Sequence, residues 1–201
     1  MGLVNMKKME VQIKIVYYGP GRGGKTTNLH YINNKFKERI KTNMVSIKTH
    51  GDRTLFFDFL PMEIGTIKGF NVKVQIYTVP GQIKYNATRK LVLKGVDGIV
   101  FVADMQEEMR EKNISSLEQM KENLAEMNKD IATIPLVLQY NKSDLREEGV
   151  PLLDLATIDG DLNSNLQVPS FEGSAISGYN VAKTLKKVIS LTMNSINKEL
   201  L

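Results

Sequence analysis

Gly19-Pro20-Gly21-Arg22-Gly23-Gly24-Lys25-Thr26 follows an apolar run at 11–18 (VQIKIVYY) and opens a helix-patterned stretch at 25–37. The octet fits G-x-x-x-x-G-K-[ST], and it stands in the context that pattern requires, a strand before it and a helix after it. Glycines at 19, 21, 23 and 24 leave backbone N–H groups free to converge on phosphate oxygens. The helix start adds partial positive charge at the same spot. Lys25 should reach the β- and γ-phosphates, and the Thr26 hydroxyl should bind Mg²⁺. Thr27 extends the phosphate set. Arg22 has two readings, one touching phosphate and one pointing to solvent.

Outward from the octet, strand-like and helix-like stretches alternate. Residues 72–79 (VKVQIYTV) alternate as a strand with one wet face, and 98–103 (GIVFVA) form a continuous apolar run, as in a buried parallel strand. Residues 135–140 (PLVLQY) repeat that pattern, and 168–171 make a short, weaker strand. Helical spacing puts Leu117, Met120, Leu124 and Met127 on one face of 114–128, and closes the chain over 179–200. Strands separated by helices predict an α/β three-layer domain of the P-loop NTPase type: a six-stranded, mostly parallel sheet with helices on both faces. One domain is expected over 1–201, with its core at about 11–200. Ligands of such sheets lie at the carboxyl ends of the strands, so the loops there are where chemistry is expected.

Asn141-Lys142-Ser143-Asp144 is one of those loops. An aspartate carboxylate can accept from both the N1–H and the exocyclic amine of guanine, a pair that adenine cannot offer. Asp144 should therefore select the base, Lys142 should lay its stem over it, and Asn141 should tie this loop to the phosphate loop. Four letters alone are a weak signal; behind a correctly placed phosphate loop they become a strong one. Ser174, Ala175 and Ile176 follow the last short strand and resemble the loop whose backbone contacts the guanine oxygen in GTPases.

Two candidate γ-phosphate sensors lie between these loops. Asp52-Arg53-Thr54 carries a threonine able to complete the Mg²⁺ shell. Thr78-Val79-Pro80-Gly81-Gln82 can offer the Gly81 N–H to the γ-phosphate and Gln82 to orient the attacking water.

The matching stretches KIVYYGPGRGGKTTNLHYI, DRTLFFDFLP, VQIYTVPGQIKYNATRKLVLKGVDGIVFVAD and LQYNKSDL resemble the MglA family of prokaryotic Ras-like small GTPases, and the T-V-P-G-Q run is distinctive of it. The resemblance implies a switch that cycles between GTP and GDP with Mg²⁺. Intrinsic hydrolysis should be slow and stimulated by a roadblock-domain (MglB-type) activating protein. Arg53 should act in cis once that partner has repositioned the switch, with Gln82 as the other catalytic residue. Effectors for cell polarity or motility, a cytoplasmic location and recruitment to a cell pole are implied in the same way.

Thr78 departs from ordinary Ras, which carries an aspartate there. A hydroxyl is a weaker partner for a divalent cation, so metal grip should rest on Thr26, Thr54 and the phosphates. Asp58 is either a substitute carboxylate or a surface residue. His30 and His50 have no companion ligands, and Tyr31, Tyr85, Phe56, Phe57 and Phe59 read as packing.

The chain contains no cysteine, which excludes disulfides and thiolate metal sites and suits a reducing compartment. No stretch approaches a membrane span, and the first ten residues are too polar for a signal peptide. The net charge of +5 is dispersed, without the aromatic and basic interleaving of a nucleic-acid surface. The chain is expected to be monomeric alone. A P-loop small-molecule kinase and a GTP-bound scaffold with negligible hydrolysis remain open as alternatives.

Overall fold

The order of elements is β1 (Leu3–Asn5), β2 (Glu10–Tyr18), α1 (Lys25–Lys35), β3 (Val45–Lys48), β4 (Phe56–Ile67), β5 (Phe70–Thr78), α2 (Asn86–Leu93), β6 (Gly98–Asp104), α3 (Arg110–Ala125), β7 (Leu136–Asn141), α4 (Leu155–Asn163), β8 (Ser170–Glu172) and α5 (Val181–Leu200). They come from a computed structural model that describes residues 2–40, 44–48, 56–67, 69–81 and 85–200.

The strands form one sheet in the order β3-β4-β5-β2-β6-β7-β8, with β1 paired to β2. Pairs β2/β5, β2/β6, β6/β7 and β7/β8 are parallel. Pairs β1/β2, β3/β4 and β4/β5 are antiparallel. The sheet is mostly parallel, as expected, but it has eight strands among the described residues instead of six. The sequence reading missed β1, β3 and β4. β4 contains Pro61 and Gly65, which argue against a strand. Among the described residues β3 covers only 56–59 of β4, and Pro61 pairs with Gln75 of β5. The chain also shifts register between Glu63 and Gly65, where Gly65 takes a φ of 92°.

Strand residues alternate between two faces, and each face has its own core. Ile13, Ile15 and Tyr17 of β2 join Val74 and Ile76 of β5 beneath Leu29 and Ile32 of α1 and Leu185 and Val188 of α5. Val16 and Tyr18 face the other way, with Ile99 and Phe101 of β6, under Val92 of α2, Leu117 and Met120 of α3 and Ile158 of α4. Burying each such side chain contributes about 1.5–3 kcal/mol. These are the three layers the alternating pattern predicts.

The strand sequence diverges at β2. Its neighbours are β5 on one side and β6 on the other, so the connections leave in opposite directions. A crevice opens at the carboxyl end of β2, and the Gly19–Thr26 loop runs straight into it.

Candidate functional site

α1 begins at Lys25 behind Gly24, and no side chain caps its first turn, nor does that turn carry an acid. Its leading amides are therefore left to an anion. Gly24 takes a φ of 97°, and a Cβ there would stand 2.1 Å from the Asn141 amide nitrogen. Only glycine lets the base loop come this close. Arg22 also takes a left-handed φ of 63°; the residue is exposed and lines the cavity over the loop.

Lys25 is buried. Its ammonium donates to Gly19 O at 2.9 Å and Pro20 O at 2.6 Å. Burial pulls its pKa down to about 7; the nearby Arg89 cation pushes the same way, and Asp58 opposes both. A polyphosphate would supply the negative charge this ammonium lacks.

Above the loop is a cavity of about 340 Å³ lined by Gly21, Arg22, Gly24, Lys25, Thr26 and Thr27 from one side. Thr78 and Gly81 line it from the other, together with Tyr85, which the sequence reading took for packing. The volume suits a small ligand.

Asp58 is not a surface residue. It is 4 % exposed, and three hydroxyls donate to its carboxylate: Thr26 at 2.7 Å, Ser46 at 2.7 Å and Thr78 at 2.9 Å. Its own N–H donates to the Thr78 hydroxyl at 2.9 Å. β4 runs antiparallel beside β5, which brings Asp58 opposite Thr78. The neighbouring strand thus places a carboxylate beside Thr78. An all-oxygen set of hydroxyls and one carboxylate fits a hard cation such as Mg²⁺. Arg53, Thr54 and Gln82 lie outside the described residues.

At the other end of the crevice, the Asn141 amide donates to Gly23 O at 2.9 Å and its carbonyl accepts from Ala175 N at 2.8 Å. One buried side chain therefore joins the phosphate loop, the N-K-S-D loop and the Ser174–Ala175 turn. Ser143 N adds a bond to Gly173 O at 3.1 Å. Replacing Asn141 by Ala orphans two buried backbone groups. Asn141→Ala should lower stability by about 2–4 kcal/mol, measured by urea unfolding without nucleotide.

Lys142 takes a φ of 74° and its ammonium pairs with Asp104 at 2.6 Å. Asp104 is fully buried at the end of β6, and this pair holds the lysine stem in place. The sequence reading missed Asp104; a charged residue closing the apolar run GIVFVAD is the signal that could have found it. Asp144 stands partly exposed in a short 3-10 turn, Ser143–Arg146. Ser174 and Ala175 are buried, while Ile176 is 76 % exposed. The structure thus gathers Gly21, Arg22, Gly24, Lys25, Thr26, Thr27, Thr78 and Gly81 around one cavity, and Asn141 ties Gly23 to Ala175.

The sequence profile of the Ras family matches residues 14–194. The chain belongs to the Ras family. Among relatives, it is 47 % identical over 198 residues to the mutual gliding-motility protein MglA of Myxococcus xanthus, covering 98 % of this chain and 99 % of that one. It is 27 % identical over 188 residues to the Ras-related protein Rab-27B of Rattus norvegicus, covering 92 % of this chain and 82 % of that one. It is also 27 % identical over 183 residues to the Ypt/Rab-type GTPase YPT7 of Saccharomyces cerevisiae, covering 88 % and 79 %. As a Ras-family member it is a small GTPase with an α/β P-loop fold, and the small-molecule kinase reading loses its support. No helix of the described residues is long and apolar enough to cross a membrane.

Proposed function

We propose that this Ras-family chain is a Mg²⁺-dependent switch that binds GTP and GDP, hydrolyses GTP slowly unaided, and signals through effectors that recognise its GTP form. The observation that carries the reading is the Asn141 bridge, which makes one continuous bed from the uncapped α1 start to the Asp144 loop. A purine and a polyphosphate need such a bed together. Asp144 would choose guanine, Lys25 and the loop amides would hold the phosphates, and Thr26 with Thr54 would ligate the cation. Bound Mg²⁺ would neutralise charge on the β- and γ-phosphate oxygens. Gln82 would orient the attacking water and Arg53 would face the transferring group.

The likeness to a mutual gliding-motility protein supports a role in motility or polarity. We further infer a roadblock-domain activating partner, a cytoplasmic location with recruitment to a pole, and a single G domain over the whole chain. The test is titration with fluorescent GDP and ATP, followed by hydrolysis with and without a roadblock protein of the same genome. Tight GDP uptake with little ATP uptake is expected; equal or absent uptake of the two would end this reading.

Asp58 supplies a sharper check on the metal. In this reading its carboxylate orients the Thr26 hydroxyl and receives the charge of the cation. Asp58→Asn should weaken Mg²⁺ binding by about 10–100-fold, the usual loss when a group behind the ligands is removed. The measurement is GDP release rate against Mg²⁺ concentration. An unshifted midpoint would remove Asp58 from the metal site.

A further inference from the structure

Arg89 on α2 has one of the most deeply buried long side chains of the fold, 1 % exposed. Its Nε donates to Pro80 O and its Nη2 to Gly81 O, both at 2.9 Å. Its Nη1 donates to Gln119 Oε1 on α3 and, at 3.5 Å, to the Tyr18 hydroxyl on β2. The guanidinium also sits 5.7 Å from the centre of the Tyr18 ring. All four acceptors are uncharged. A buried cation spread over neutral groups is costly unless each donor is well aimed, and here two donors of one planar fork take two consecutive backbone carbonyls. Tyr18 and Gln119 tie that fork to two rigid elements, and Asn123 of α3 donates to the same Tyr18 hydroxyl at 3.3 Å.

The consequence lies on the other side of the peptide. In a trans peptide the C=O and N–H point in opposite directions. With Pro80 O turned to Arg89, the Gly81 N–H faces away from α2. Gly81 borders the cavity over the phosphate loop, and the loop packs directly against it: a Cβ on Gly81 would lie 2.2 Å from Gly21 N and 2.5 Å from Pro20 C. The geometry points to Arg89 as the positioning residue that aims the Gly81 amide at the terminal phosphate of a nucleoside triphosphate. This assignment rests on the guanine-nucleotide reading and adds to it a fixed anchor for the second switch. It also accounts for arginine at 89, since a lysine ammonium is a point donor and cannot hold two carbonyls in a plane.

The test compares two nucleotides on the same protein, GDP and the non-hydrolysable analogue GppNHp, by displacement of fluorescent GDP. GDP has no γ-phosphate for the Gly81 amide to meet. Arg89→Lys keeps the charge and most of the volume. It should hold GDP affinity within about threefold and lose at least about tenfold for GppNHp, the worth of one hydrogen bond to a charged group. Gln119→Ala loosens the fork from α3 without touching the switch carbonyls, and should lower the GppNHp to GDP preference about threefold in the same direction. Thermal unfolding without nucleotide shows that each variant is folded. An unchanged preference in both variants overturns the assignment, and so does an equal loss for both nucleotides, which would make Arg89 structural only. If the unmodified chain binds neither nucleotide, the guanine reading itself fails and takes this inference with it.

Discussion

Arg53→Ala should leave GTP binding intact and lower partner-stimulated hydrolysis by ~10³–10⁵-fold. Phosphoryl transfer gathers negative charge on the transferring oxygens, and a guanidinium placed there stabilises the transition state far more than the ground state. Arg53 stands between β3, which ends at Lys48, and β4, which begins at Phe56. Asp58, five positions further along, has its carboxylate on the Thr26 hydroxyl. Single-turnover hydrolysis with a roadblock protein present reads the effect. If the rate constant matched that of the unmodified chain, Arg53 would have no catalytic role.

Asp144→Ala should weaken GDP binding by roughly 10³-fold while leaving the weak binding of ADP unchanged. A guanine offers two donors to one carboxylate, and each hydrogen bond to a charged group contributes about 1.5–3 kcal/mol. The carboxylate acts from a turn whose neighbours are held independently of it. Asn141 is pinned to Gly23 and Ala175, and Lys142 to Asp104. The substitution should therefore change base preference without loosening the phosphate bed. Competition against fluorescent GDP measures both nucleotides. A parallel loss for GDP and ADP would show that Asp144 supports the loop and does not read the base.

Helices and strands were foreseen where one face of an element is apolar over its full length. The run at 11–18 matches Glu10–Tyr18, where Val11, Ile13 and Ile15 keep one face buried and burial covers both faces from Ile15 on, and 98–103 matches Gly98–Asp104, which is buried on both faces. The helix expected at 114–128 starts earlier, at Arg110, and ends earlier, at Ala125. Its first turn is polar, and its buried face includes Asn113, Ser116 and Asn123, which an apolar count passes over. Helices α2 and α4 escaped notice for a similar reason: they are eight and nine residues long, too short for periodicity to stand out.

Asp58 and Arg89 show where the reading of residues stopped. In F-F-D-F an acid between phenylalanines is compatible with a wet strand face, and nothing in its spacing relates it to Thr26, 32 positions earlier. Arg89 in N-A-T-R-K-L-V-L reads as an ordinary surface arginine until α2 is packed on the sheet.

From the sequence alone came the phosphate loop, the base-reading loop and the layered α/β order, because each is local: a short string of residue types sets backbone freedom, periodicity or a donor pattern. The tertiary structure alone decided that the carboxylate beside Thr26 comes from β4, that Asp104 holds Lys142, and that a buried arginine clasps the second switch. Those pairings join residues far apart in the chain, and their contacts exist only once antiparallel register and helix packing have set the distances.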